Sequence, residues 1–177
     1  MKYLVLSDIH GSAAYLKKFM QIAEGENPDK IILLGDVYYH GPRNALPEGY
    51  APMEVAEMLN SVADKVVCAC GNCDAEVDQM ISKFDFSEKV EMEISQKKFL
   101  FVHGHHLDFN AMPNGYDFVF GGHTHISGIE DFGGVTYVNP GSLSIPKGET
   151  TNSYAKIEDH KISVLTLNGE VVAEKEF

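Results

Sequence analysis

Apolar and polar positions follow two rhythms along this chain. Lys2–Ser7, Ile31–Leu34 and Lys65–Cys70 are short apolar runs. Runs of this kind, without polar alternation, predict strands buried on both faces. Helical spacings lie between them. Tyr15, Phe19 and Ile22 recur at i, i+4 and i+7 behind Ser12, which reads as an N-cap, and Gly25 and Pro28 end the helix. Pro52 suits a first helical turn, and Val55, Met58, Leu59 and Val62 supply the stripe that follows. A short third helix is expected over Ala75–Lys83, capped by Asp74. From Glu88 onward the period is that of strands. Val90, Met92 and Ile94 alternate with Glu91 and Glu93, while Phe99–Val102 and Phe118–Phe120 are apolar throughout. Gly133-Gly134 separates Ile129–Phe132 from Val135–Val138, and Asn168-Gly169 predicts a two-residue hairpin turn. The first half therefore reads β-α-β-α-β-α and the second half mostly β. Two packed sheets with helices outside cover this many strands most simply. Gly35–Ala51 is left as a loop of a length usually kept for function.

Composition narrows the picture. The chain of 177 residues has no repeat, low-complexity tract or long linker, so one domain over 1–177 is expected. Its 44% apolar and 23% charged residues are those of a soluble globule, not of a disordered chain. No apolar stretch approaches a membrane span, and MKYLVLSDIHGS lacks the basic flank and cleavage site of a signal peptide. Lys and Arg number 14 against 26 Asp and Glu, a net charge of −12, which argues against stable nucleic-acid binding. Cys68, Cys70 and Cys73 are too few and too close for a disulfide framework, and they lack the fourth ligand of a zinc knuckle. They fit a reducing, cytoplasmic setting, with packing as their role.

The chemistry stands at strand ends. Five apolar runs lead in turn into Asp8-Ile9-His10, Gly35-Asp36, Gly71-Asn72-Cys73-Asp74, His103-Gly104-His105 and Gly122-His123-Thr124-His125. In open α/β sheets the carboxyl ends of strands form the ligand crevice, so clusters far apart in sequence can converge there. Residues at i and i+2 of an extended backbone point the same way, which would let Asp8 and His10 reach one ion together. Taken singly, an Asp-x-His is usually a turn, Gly-Asn a tight bend and Asp74 a cap. Five such turns with metal-ligand residues at five strand ends are better explained by one shared site. Mixed imidazole and carboxylate donors suit Mn, Fe, Zn, Ni or Co better than Ca or Mg, and the set is larger than one ion needs.

In this order the clusters resemble the calcineurin-like metallophosphoesterases, over residues 4 to about 148. Gly41–Pro52, the Gly-Asn-Cys-Asp run and Asn139–Gly148 look like the small bacterial phosphodiesterases of the YfcE type. The resemblance implies an α/β fold, a four-layer α/β/β/α sandwich of two mixed sheets flanked by helices, holding two divalent metal ions. One ion would take Asp8, His10, Asp36 and His125. The other would take Asp36, Asn72, His103 and His123, with Asp36 bridging. The implied reaction is hydrolysis of small phosphate esters by in-line attack of a hydroxide held between the metals. Manganese is preferred, and a homo-oligomer is the family-level expectation.

Departures from the family pattern set the alternatives. Many members carry, where this chain has Cys73, a His that acts as general acid paired with the next carboxylate, here Asp74. The resemblance makes Cys73 and Asp74 candidate catalytic positions, while a thiol suits that role poorly, so leaving-group protonation falls to His105, to a metal-bound water, or is not needed for easily expelled groups. Cys73 itself reads best as a small buried apolar residue. The phosphoprotein phosphatases of the family have Asp-Arg where Tyr39-His40 stand here, which argues against a protein phosphatase. Arg43, the single arginine, is read as a phosphate contact or a solvated charge, and His40 likewise stands between a substrate contact and packing. Tyr38 and Tyr39 are substrate walls or core. Asn139-Pro140-Gly141-Ser142 reads as a tight turn supporting the site. The rival readings are a phosphomonoesterase on the same site and a non-catalytic scaffold resembling Vps29; the filled ligand positions favour an enzyme.

Overall fold

The computed structural model describes residues 1–177. In chain order it contains β1 (Lys2–Leu6), α1 (Ala13–Glu26), β2 (Lys30–Leu33), α2 (Pro52–Asn60), a 3₁₀ turn (Ala63–Lys65), β3 (Val66–Ala69), α3 (Glu76–Ile81) and β4 (Phe86–Ser87). Strands follow: β5 (Val90–Ile94), β6 (Lys97–Phe101), β7 (Phe118–Phe120), β8 (Gly128–Phe132), β9 (Val135–Asn139), β10 (Ser153–Glu158), β11 (Lys161–Thr166) and β12 (Val171–Glu176). They form a seven-stranded sheet of order β12-β11-β10-β1-β2-β3-β4 and a five-stranded sheet of order β5-β6-β7-β9-β8. Both sheets are mixed, with β1, β2 and β3 parallel in one and β6, β7 and β9 parallel in the other.

The unalternating runs are buried on two faces. Leu4, Leu6, Ile31 and Leu33 face α1 and α2, against Leu16, Phe19, Val55 and Leu59. Tyr3, Val5, Ile32 and Leu34 face the second sheet, against Phe99, Phe101, Phe118 and Phe120. The expected sandwich is thus present, with one difference in its fourth layer. The outer face of the five-stranded sheet is covered by the irregular segment between β6 and β7, whose Leu107, Met112 and Tyr116 pack on Leu100, Val119 and Tyr137. No helix lies in that segment.

Several local expectations need correction. Gly25 lies inside α1, which ends at Asn27 in the left-handed conformation (φ 45°) with its N–H donating to the Ala23 carbonyl. The third helix is shorter than expected, and Ala75, not Asp74, occupies its N-cap. The Asn168-Gly169 hairpin exists, but only Gly169 has positive φ. Its N–H donates to the Thr166 carbonyl and Thr166 N–H to that of Glu170, which makes a longer turn ending in a bulge.

Two hairpins carry no glycine at their turns. Ser95-Gln96 (φ 52° and 66°) joins β5 to β6, and Asp159-His160 (φ 50° and 62°) joins β10 to β11. Each left-handed non-glycine residue costs roughly 1 kcal/mol. Replacing Ser95-Gln96 by Asn-Gly is therefore expected to raise the unfolding free energy by about 1 kcal/mol. Urea unfolding checks this; an unchanged or lower midpoint would contradict it.

Candidate metal centre

Seven strands run parallel within their sheets, β1 to β4 in one and β6, β7 and β9 in the other. Just beyond the ends of β1, β2, β3, β6 and β7 stand Asp8 and His10, Asp36, Asn72, His103, and His123 and His125. The structure brings all seven expected ligand residues together. Asp8, His10, Asp36, His103 and His125 are buried, His123 is half-buried and Asn72 is exposed.

Their donor atoms face one another in two groups. His125 Nε2 lies 3.1 Å and His10 Nε2 3.5 Å from Asp8 Oδ1, and the two imidazole nitrogens are 3.3 Å apart. On the other side, His103 Nε2 lies 3.0 Å from Asn72 Oδ1 and 3.3 Å from His123 Nδ1. Asp36 Oδ2 stands between the groups, 3.7 Å from His10 Nε2 and 3.4 Å from His103 Nε2.

The surroundings leave these atoms free for a cation. His10, His103 and His125 each direct Nδ1 at a backbone carbonyl, of Tyr39, Leu34 and Ile145, at 2.7 Å in every case. An Nδ1–H donated there leaves Nε2 as the bare lone pair, the tautomer a metal requires. Each carboxylate is divided the same way. Asp8 Oδ2 accepts from Ser7 Oγ (2.6 Å) and His123 N–H (3.0 Å), while Oδ1 is buried without a hydrogen-bond donor. Asp36 Oδ1 accepts the Cys73 N–H at 2.8 Å, and Oδ2 is left to the histidines. A buried carboxylate oxygen with no donor is costly unless a cation meets it. The donor set therefore fits divalent ions.

Without ions, the groups perturb one another. Burial disfavours charge on Asp8, but His10 and His125 outweigh it and hold that carboxyl well below its usual range. Burial would also depress His103, yet the Asp36 carboxylate beside it and the field of Asp8 raise it to about 9. His10 moves the same way, burial being outweighed by Asp8.

The backbone here is not extended. Asp8, His10, Asp36, His123 and His125 all have positive φ, between 48° and 62°. The i, i+2 argument therefore fails in its geometry: the pairs sit on left-handed turns, and His123 and His125 face different donor groups. Cross-loop bonds hold these turns, among them Asp8 N–H to Gly35 O (3.1 Å), His10 N–H to Asp36 O (2.9 Å) and Gly11 N–H to Val37 O (2.8 Å). Ser142 Oγ and Ser144 Oγ both donate to the Asp8 carbonyl, at 2.8 and 3.2 Å, so the Asn139–Ser142 turn does support the site.

Gly71 passes so close to Asp36 that a Cβ would fall on its carboxylate and backbone nitrogen. Gly71→Ala should push that carboxylate out of place. The expected result is metal affinity lower by about tenfold or more and stability lower by about 2 kcal/mol. Metal titration and urea unfolding of the variant check both, and native values would refute the close approach.

The remaining candidates differ. Asp74 caps no helix; its oxygens accept the N–H groups of Asp36 (2.8 Å), Val37 (2.8 Å) and Gly71 (2.7 Å), which staples the second and third loops together. Cys73 is half-buried instead of fully buried, with its Sγ among the donor atoms of His10 and Asp36. Burial, then the Asp36 carboxylate, push its thiol up to about 12. His105 is half-buried beside His103, at 5.3 Å between ring centroids, and burial and neighbouring imidazoles lower its pKa. His40 lies edge-on to Tyr39 and Tyr50, and Arg43 is exposed with no ion pair. Tyr38 is core, its hydroxyl 2.7 Å from Ser82 Oγ, whereas Tyr39 is exposed. Cys68, Cys70 and Cys73 are free thiols. The sequence reading missed Ser7, Ser144 and the three carbonyls that orient the imidazoles; only the serines carried a signal, by standing beside the Asp8 and Ser142 motifs.

A match to the calcineurin-like phosphoesterase superfamily domain spans residues 1–161. The chain is 42% identical over 175 residues to phosphodiesterase YfcE of Escherichia coli K12, covering 97% of this chain and 95% of that one. The solved structure of YfcE, described as a phosphoesterase, superposes with a TM-score of 0.96 at 38% identity and covers 99% of each chain. Vacuolar protein sorting 29 from Cryptosporidium parvum matches at a TM-score of 0.68 and 19% identity, over 99% of this chain and 97% of that one, which shows the shared fold alone.

Proposed function

Because the chain belongs to the calcineurin-like phosphoesterase superfamily, we propose that its buried cluster is the dinuclear metal centre of a phosphodiesterase acting on small phosphate esters. The position of Asp36 Oδ2 between His10 and His103 carries this reading, since one carboxylate oxygen there can serve two ions at once. Asp8, His10, Asp36 and His125 would hold one ion, and Asp36, Asn72, His103 and His123 the other. Bound there, two divalent ions supply an activated water-derived nucleophile at neutral pH and stabilise charge on the phosphoryl oxygens. The chain's own residues do the rest. Leu34, Tyr39 and Ile145 fix the imidazole tautomers, Asp74 locks the loops, and the two ligand carboxylates leave four cationic charges half-neutralised. A centre that stays positive can draw an anionic ester despite a surface of net charge −12.

Manganese is the proposed metal, with Fe, Ni, Zn and Co as competitors, and a reducing, cytoplasmic setting suits the three free thiols. No helix is long and apolar enough to cross a membrane. The test is a paired assay of bis-p-nitrophenyl phosphate and p-nitrophenyl phosphate on metal-stripped protein, with each divalent ion added back. Metal-dependent cleavage of the diester ahead of the monoester supports the reading. Monoester preference would favour a phosphatase, and no turnover with any ion in folded protein would favour a scaffold.

A further inference from the structure

The free thiols have different surroundings. Cys68 is buried in the apolar cluster between the first sheet and its helices, where it packs. Cys73 belongs to none of the apolar clusters. Its Sγ lies with a ring nitrogen of His10 and a carboxylate oxygen of Asp36, the three donor atoms all within 4.8 Å of one another. Donors that share one ion stand nearly that close, since zinc bonds run to about 2.0–2.2 Å for nitrogen and oxygen and about 2.3 Å for sulfur. Asp8 Oδ1, buried without a hydrogen-bond donor, faces His10 Nε2 at 3.5 Å.

Backbone contacts hold Cys73 in this position. Its N–H donates to Asp36 Oδ1 at 2.8 Å, and the next residue, Asp74, staples the loops together. Gly41 closes in from the loop after β2, where a Cβ would stand 3.3 Å from the sulfur. The Asn72 amide nitrogen lies 3.3 Å from Sγ. The polar neighbours of the sulfur are thus three residues of the metal centre: His10, Asp36 and Asn72. A thiol kept only to fill space would sit as Cys68 does.

We propose that Cys73 is an eighth ligand residue of the metal centre, its Sγ taken up by thiophilic ions such as zinc and cobalt and passed over by manganese. The inference rests on the dinuclear reading above and adds to it a residue that decides which ion is held. Thiolate is a soft ligand that suits zinc, whereas manganese prefers carboxylate, carbonyl and water oxygens. In the metal-free chain, burial and then the Asp36 carboxylate keep the thiol protonated. A coordinating dication reverses this: the metal–sulfur bond forms, the S–H proton passes to solvent and no oxidation state changes. The result is a centre whose zinc affinity exceeds what its nitrogen and oxygen donors alone would give, and whose manganese affinity does not.

The test is optical titration of the metal-stripped chain with Co²⁺, alongside zinc and manganese affinities from competition with a chromophoric chelator. Cobalt bonded to thiolate shows a sulfur-to-metal charge-transfer band in the near ultraviolet that nitrogen and oxygen donors do not give. The native chain and Cys70→Ser are expected to show it, and Cys73→Ser and Cys73→Ala to lack it with cobalt still bound. Zinc affinity should fall about tenfold or more in both Cys73 variants, while manganese affinity stays within about twofold. Cobalt bound to the native chain without the band would overturn the proposal, as would a band that survives both Cys73 variants or disappears in Cys70→Ser. Equal losses of zinc and manganese affinity in both Cys73 variants would make Cys73 a packing residue and overturn it too. A native chain that binds none of the three ions would instead overturn the dinuclear reading, and this inference with it.

Discussion

Asp36→Asn is expected to lower metal-dependent diester hydrolysis on the order of 10³-fold or more, equivalent to about 4 kcal/mol of lost transition-state stabilisation. The side chain has two duties at once. Oδ1 accepts the Cys73 N–H at 2.8 Å, and Oδ2 faces His10 and His103. An amide has one acceptor oxygen. If it faces the metals, its NH₂ meets the Cys73 N–H, donor against donor; if it faces Cys73, the NH₂ points at the cations. The first orientation leaves only a neutral oxygen between the two groups and a clash at Cys73, the second takes the oxygen away from them, and both remove one of the two anionic ligands. Bound metal, measured by mass spectrometry of the desalted protein, should fall from two ions per chain to one or fewer. The metal-free variant should lose on the order of 2 kcal/mol of stability near pH 6.5 and stay folded, because the attraction between Asp36 and His103 that it removes outweighs the repulsion from Asp8 that it relieves. Native activity with two bound ions in the variant would refute the bridging role, and a variant that unfolds without metal would make Asp36 a fold residue instead.

What the sequence disclosed and what it hid divide along physical lines. The metal residues were legible because each follows a doubly buried strand, and such strands announce themselves as unbroken apolar runs ending in polar residues. Gly71 and Gly122 were visible as motif letters, and the structure supplies the reason: a Cβ at Gly122 would collide with Ser7 and Asp8. The groups that fix the tautomers were invisible, because the carbonyls of Leu34, Tyr39 and Ile145 are backbone atoms that any residue carries. The Ser95-Gln96 and Asp159-His160 turns escaped because the usual Asn-Gly signal is absent and the sheet pays for the left-handed backbone. Asp74 was read as a cap since an acidic residue before a helix usually is one; its real partners, Asp36, Val37 and Gly71, become neighbours only after β2 and β3 pair.

Removal of metal should cost about 10–20 °C of thermal stability, and that gap should widen as pH rises from about 6.5 to 9. The size follows from two sites, each adding roughly 3 kcal/mol when free ion stands at a hundred times its dissociation constant. The pH dependence follows from His103. In the metal-free chain its pKa is raised to about 9, because the Asp36 carboxylate and the field of Asp8 outweigh burial, and His10 shifts in the same direction. A group whose folded pKa is raised stabilises the fold fully below its unfolded pKa, near 6.5, and ceases to do so as pH passes its folded value. The metal-free protein should therefore lose stability across this window, by on the order of 2 kcal/mol. Metal binding runs the opposite way. His103 Nδ1 donates to the Leu34 carbonyl, so the proton that an ion must displace is the one on Nε2. At pH 7.5 each chain should release about one proton from His103 on loading, and affinity should rise with pH until that proton is gone. Thermal melts with chelator and with excess Mn²⁺ at pH 6.5, 7.5 and 8.5 measure the gap, and calorimetry in buffers of different ionisation enthalpy counts the protons. A gap independent of pH, or loading without proton release, would mean that Nε2 of His103 is not the atom the ion meets.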